Sequence, residues 1–270
     1  MTHSSETQQR AMHLVETEWL AAHLDDPAIR VVDMRGYVRT ETAPDGFQTA
    51  KYTGARDEYE QAHIPGAVYL DWTTDIVDPD DPVPAQVAPP ERIARVLGAA
   101  GIGDDTLVVA YDHHPASQFA TRLWWVLKYY GHDQVRVLNG GWNRWIAEGR
   151  PVTSERTLVS PATFTPRPRP ELRAKAEDVL AMIGHPEVTI IDARDEEQYT
   201  GAIRRGPRGG HIPGAVNLPR EALVLPDGRF RSLEELREIV EKAGIRPTRR
   251  AVAYCNGGVA ATSVLFALSM

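Results

Sequence analysis

The sequence predicts an α/β protein made of two tandem modules, each a mostly parallel sheet flanked by helices. Three observations carry that expectation. Four segments recur in the same order in the two halves of the chain. Within each half, short apolar runs alternate with stretches of helical spacing. A proline-rich stretch separates the halves.

Composition sets the outer bounds. The 270 residues are 42% hydrophobic and 25% charged, which is ordinary for a globular protein. A net charge of −7 and a pI near 5.7 argue against a nucleic-acid partner, though not against a local basic pocket. The polar start "MTHSSETQQR" lacks the apolar stretch of a signal peptide. No apolar run approaches the ~20 residues of a membrane span, so no membrane partner is expected. The only cysteine, Cys255, excludes an intramolecular disulfide and points to the reducing cytoplasm.

The repeated elements run in order. "RVVDMR" (30–35) matches "TIIDAR" (189–194); both are β-branched or apolar runs of the kind that form buried strands. "AHIPGAVYL" (62–70) matches "GHIPGAVNL" (210–218), with Pro65-Gly66 and Pro213-Gly214 supplying turns. "LGAAGIGDDTLVVAYD" (97–112) matches "VEKAGIRPTRRAVAYC" (240–255), and "ATRLWWVL" (120–127) matches "ATSVLFAL" (261–268). "SLEELREIVEKAG" (232–244) has apolar residues at Leu233, Leu236, Ile239 and Val240. Ser232 and Glu235 complete a capping box and Gly244 is a natural stop, so the spacing predicts a helix.

The modules are expected at 12–150 and 173–270, joined by a linker at 151–172. Its "PVTSERTLVSPATFTPRPRP" carries five prolines and should run extended over the surface. Copy one continues through an expected strand, "QVRVL", and a helix start, "GGWNRW". Copy two stops at Met270, two residues past Leu268, and residues 130–150 have no counterpart. Either the chain continues, or the second module lacks a strand and a helix and exposes a sheet edge.

Duplication also acts as a filter. Features present in both copies read as fold, and features in one copy are candidates for function. Asp33/Arg35 and Asp192/Arg194 are shared and read as structural ion pairs. His63 and His211 are shared and read as loop-fixing groups. The loops after "AYD" and "AYC" differ. Copy one has "DHHPASQFAT" (112–121), and its Asp112, His113 and His114, without a partner motif, read as solvated surface rather than a metal site. Copy two has "CNGGVAAT" (255–262), two residues shorter.

Cys255 follows a strand and precedes a helix expected from about Ala260. Functional loops sit at the carboxyl ends of parallel strands. Gly257 and Gly258 can take φ > 0 and leave successive N–H groups free. The N–H groups of Asn256, Gly257, Gly258, Val259 and Ala260 then form an anion cradle around the sulfur. That suits a cysteine that attacks, carries an anionic group and passes it on. A cysteine phosphatase would need C-x5-R, and the position counted from Cys255 is Ala261.

The paired "HIPGAV" turns, "IIDAR", "GGWNRW" and the terminal C-x-x-G-V-A resemble the two-domain rhodaneses, the thiosulfate and 3-mercaptopyruvate sulfurtransferases, over about residues 12–270. The resemblance implies two rhodanese-like domains, the first inactive and the second catalytic through Cys255. It implies ping-pong transfer: Cys255 takes sulfane sulfur from a small anionic donor, holds it as a persulfide, and gives it to cyanide or another thiophilic acceptor. No cofactor or metal is implied. The alternative is a non-catalytic module that binds a partner or relays persulfide.

This chain departs from the pattern in two places. Asn256-Gly257 matches neither the cationic loop of thiosulfate-type members nor the Gly-Ser or Gly-Thr of mercaptopyruvate-type members. Gln198, before Tyr199, stands where the family often has a donor-binding arginine. The loop "TGAIRRGPRGG" (200–210) offers Arg204, Arg205 and Arg208 as substitutes. The donor is expected to enter at the seam between modules, with Trp72, Asp71 and His63 as candidate lining.

Overall fold

The computed structural model of the chain describes residues 8–270. The first module contains β1 (Leu14–Val15), α1 (Thr17–Ala21), β2 (Ile29–Asp33), β3 (Gly36–Thr42), β4 (Gln48–Gly54), α2 (Arg56–Gln61), β5 (Val68–Tyr69), α3 (Pro90–Ala99), β6 (Leu107–Tyr111), α4 (Gln118–Tyr129), β7 (Val135–Leu138) and α5 (Gly141–Ala147). The second contains α6 (Ala176–Met182), β8 (Val188–Asp192), α7 (Glu196–Thr200), β9 (Val216–Asn217), α8 (Leu233–Lys242), β10 (Arg250–Tyr254) and α9 (Ala260–Ser269). Ser232 and Glu235 close the expected capping box on α8.

Both sheets are parallel, in the orders β1-β7-β6-β2-β5 and β10-β8-β9. The apolar runs form them because burial on both faces favours unbroken β-branched stretches. The duplication is visible in the pairing: β2, β5 and β6 correspond to β8, β9 and β10. The second sheet has three strands where the first has five, and among the described residues β10 pairs only with β8. The antiparallel hairpin β3–β4, paired from Gly36↔Gly54 to Thr42↔Gln48, belongs to the first module alone. No helix among the described residues is long and apolar enough to cross a membrane.

The shared "D-x-R" pairs are structural, as expected from their duplication. Asp33 binds Arg35 at 2.8 Å and Asp192 binds Arg194 at 2.5 Å, and each aspartate also accepts a tyrosine hydroxyl, from Tyr111 and Tyr254. His63 and His211 act alike. Each donates from Nδ1 to a tyrosine carbonyl, Tyr59 at 2.7 Å and Tyr199 at 2.8 Å, and stacks on that ring.

One core runs through both modules. Helix α4 is buried from Gln118 to Leu127 on every face, as an apolar helix between two layers must be. Its counterpart α9 packs against it. Thr121 and Thr262, equivalent positions of the two copies, meet with hydroxyls 3.1 Å apart, and Phe266 lies edge-on to Trp124 at 5.0–5.1 Å from both Trp124 and Phe230. Each such fully buried aromatic contributes about 1.5–3 kcal/mol. This packing brings the end of β10 to face the first module.

Candidate active site

Cys255 is half-buried at the carboxyl end of β10, and α9 begins at Ala260 as expected. It packs against the core. Its Sγ accepts the N–H of Gly258 at 3.1 Å. Gly258 has φ +74°, but Gly257 is not in the left-handed region. The turn therefore needs one special glycine where the sequence suggested two. Gly257 allows a close approach instead: a Cβ there would stand 3.1 Å from the Pro84 carbonyl oxygen, which would have to give slightly. The N–H groups of Asn256, Gly257, Val259 and Ala260 make no hydrogen bond among the described residues.

The sulfur lies at a cavity of about 400 Å³ on the seam between modules. The second module contributes Cys255, Asn256, Gly257, Val259, Ala260, Arg194, Asp195, Gln198, Arg205 and Arg220. The first contributes Tyr37, Gln48, Tyr52, Trp72, His113 and His114 from its hairpin and loops. One wall thus carries three arginines, of which Arg194 pairs with Asp192 and Arg220 with Glu221, and the other is aromatic.

The three candidate arginines separate. The 203–205 backbone lies extended against the β3–β4 hairpin, with Arg204 N donating to Gly46 O at 2.9 Å and Gln48 N to Arg204 O at 2.8 Å. Gly46 is required there, since a Cβ would come within 2.4 Å of the Ala202 carbonyl oxygen. Neighbours in an extended stretch point to opposite sides. Arg204 turns out to Asp45 and the Phe47 ring, while Arg205 turns in and donates from Nε to Gln48 Oε1 at 2.5 Å. Burial lowers the Arg205 pKa. Arg208 is exposed, and neither it nor Arg204 lines the cavity.

Other expectations need correction. His63 is fully buried and faces a different cavity, beside the 154–159 segment, because its ring is used to fix the α2 end. Asp71 binds Thr73 instead of lining the site, and Trp72 does line it. His113 and His114 are not solvated surface. His113 Nε2 donates to Gly36 O at 2.9 Å, and His114 Nδ1 accepts the Ala116 N–H at 3.1 Å. Burial pushes the His114 pKa down to about 3. Their loop is held inward by Asp112, whose carboxylate accepts N–H bonds from His114, Phe119 and Ala120 at 2.7–2.8 Å. Asp112, standing in the thiol's place, fills its own cradle.

Arg194 and Arg220 were not anticipated as site residues. Burial opposes the charge on Arg194, but its bond to Asp192 outweighs this and its pKa is raised. Arg220 was legible by the repeat filter: its counterpart in "HIPGAVYLDW" is Trp72, so the position differs between copies, and both residues line the one cavity. Among the described residues no cluster of three or more His, Cys, Asp or Glu is placed to hold a metal ion.

The family model for the rhodanese-like domain matches this chain twice, at residues 16–148 and 175–270. "Sulfur carrier protein TtuD" of Thermus thermophilus is 35% identical over 90% of this chain and 82% of its own length. The thiosulfate sulfurtransferase of Mus musculus is 34% identical over 94% of this chain and 84% of its own. The crystal structure of SseA from Escherichia coli, a 3-mercaptopyruvate sulfurtransferase, superposes with a TM-score of 0.80 at 31% identity, covering 95% of this chain and 93% of that one. Fold and site thus define a tandem rhodanese-like protein. The chain belongs to the rhodanese family, and it is an enzyme of the sulfurtransferase class.

Proposed function

We propose that Cys255 is the nucleophile of this sulfurtransferase, taking a sulfane sulfur from thiosulfate or 3-mercaptopyruvate and passing it to cyanide or another thiophilic acceptor. One observation carries the reading: the sulfur lies at a cavity lined by Arg205, with the Gly258 N–H on it and neighbouring amides unpaired. The family relationship supports it.

The steps balance without a cofactor. The Cys255 thiolate attacks the outer sulfur of thiosulfate; the donor S–S bond breaks and sulfite leaves with the electron pair. With 3-mercaptopyruvate the C–S bond breaks instead, and the departing enolate takes a proton to become pyruvate. Either route leaves an anionic persulfide, stabilised by the cradle amides of 256–260. The acceptor's lone pair then attacks the terminal sulfur, and Cys255 leaves as thiolate.

Arg205 supports an anionic donor in place of the arginine absent at Gln198, with Arg194 and Arg220 adding charge to the same wall. The loop after Cys255 carries no charge of its own, so these arginines are the donor's cationic partners. The lone cysteine supports a reducing, cytoplasmic setting.

Incubation with thiosulfate and cyanide, followed by a thiocyanate assay, tests the reading. Turnover is expected in the wild type and none in Cys255→Ser, and donor alone should raise the intact mass by one sulfur atom on Cys255. Equal turnover by Cys255→Ser would end the proposal. A persulfide relay to a protein thiol is the second reading, favoured by the relative named as a sulfur carrier. It predicts loading of Cys255 with little thiocyanate formation.

A further inference from the structure

The first module has no cysteine, yet it grips the loop that carries the one in the second. Arg122, on α4, is 5% exposed. Its Nη1 donates to the Gly258 carbonyl at 3.1 Å and its Nη2 to the Ala85 carbonyl at 2.7 Å. Its guanidinium lies 4.8 Å above the Trp125 ring. Ala85 holds φ +62°, a left-handed conformation unfavourable for a residue with a Cβ. That strained turn presses on the cradle, for a Cβ at Gly257 would meet Pro84 O at 3.1 Å and Ala85 Cβ at 3.6 Å. Two turns, one from each module, therefore pack backbone to backbone, and Arg122 bonds one carbonyl of each.

Peptide planarity turns this grip into an aim. With the Gly258 carbonyl on Arg122, the N–H of Val259 in the same peptide unit points the opposite way. Val259 lines the donor cavity, and its N–H makes no hydrogen bond among the described residues. Arg122 itself does not line that cavity. The repeat filter selects the same residue, since Arg122 corresponds to Ser263 of copy two. Ser263 makes the reciprocal reach, donating from Oγ to Ala116 O in the copy-one loop at 2.9 Å. Burial lowers the Arg122 pKa to about 10, and Cys255 acts in the opposite direction, so the group stays cationic at neutral pH.

We propose that Arg122 is a positioning residue: from the first module it aims the 258–259 peptide at the sulfur of Cys255, so that carrying the transferred sulfur depends on it and binding the donor does not. The inference rests on Cys255 as nucleophile, and its test includes a readout that does not.

Arg122→Ala and Arg122→Lys are compared with wild type in thiosulfate–cyanide turnover. Arg122→Ala should lower kcat about tenfold, the scale of one lost charge-assisted bond, with the donor KM within about twofold. The persulfide mass on Cys255 should decay faster. Added guanidinium ion should restore part of kcat, and Arg122→Lys, which keeps the charge and reaches one carbonyl, should fall between. An unchanged kcat per folded molecule would overturn the proposal, as would a rise in KM alone or a loss that neither Lys nor guanidinium repairs. Should wild type take up no sulfur, the nucleophile reading fails by itself. Alkylation of Cys255 by iodoacetamide still reports on Arg122: its rate should drop severalfold in Arg122→Ala, and an equal rate overturns the positioning role.

Discussion

Asn256 and Gln198, both singled out in the sequence, are bonded to each other: Asn256 Nδ2 donates to Gln198 Oε1 at 2.9 Å. Gln198 is 4% exposed and donates in turn to Asp195 Oδ2 at 2.7 Å, while Asp195 caps α7 through the Gln198 N–H. An arginine at 198 could not accept from Asn256. The two side chains thus act together, as a neutral bond that ties the cradle to the start of α7. A double-mutant cycle over Gln198→Ala and Asn256→Ala should give a coupling of about 0.5–1.5 kcal/mol in stability or in transition-state energy. Strict additivity would refute the link.

Arg205 faces the cavity and Arg204 and Arg208 do not. Arg205→Ala should raise the donor KM roughly tenfold or more, the scale of a lost charge-assisted contact. The same change at 204 or 208 should leave KM near wild type. Steady-state kinetics with thiosulfate decide it, and an unmoved KM at Arg205 would remove that residue from the donor site.

Gly258 and Gly257 should respond differently to alanine. At Gly258, φ +74° places a Cβ in a strained backbone, costing about 1–2 kcal/mol and turning the N–H off Sγ. At Gly257 the strain is absent, and a Cβ has only to displace a neighbour 3.1 Å away. Denaturant melts and persulfide mass should show the larger loss for Gly258→Ala. Equal losses would mean that steric contact, not φ, governs the turn.

His114 gives a pH dependence of definite sign. Its folded pKa is lowered by burial to about 3, below the ordinary value of 6.5, and an Nδ1 that accepts a hydrogen bond must be unprotonated. The unfolded chain therefore binds the extra proton. The contribution of His114 is fully present above pH 6.5 and is lost as pH falls towards 3, amounting to up to about 2 kcal/mol by pH 5. Stability curves of wild type and His114→Gln should converge or cross as pH falls through this interval; parallel curves would contradict the buried neutral state.

The two-copy α/β architecture is legible from residue order alone, because unbroken apolar strands and proline turns are local signals that the chain repeats. Residue order also singled out the Cys255 turn, since an asymmetry between copies is visible without coordinates. Tertiary structure decided which side chains share the cavity. That Arg205 turns in and Arg204 out depends on pairing with a hairpin about 150 residues away, and nothing near either residue encodes it. His113 and His114 read as solvated because part of what covers them, the Gly36 carbonyl and the Tyr37 ring on His113, comes from a hairpin of the same module far away in sequence. Arg122 showed no motif at all. Its role exists only where α4 of one copy meets the loop of the other, at a contact between residues distant in sequence.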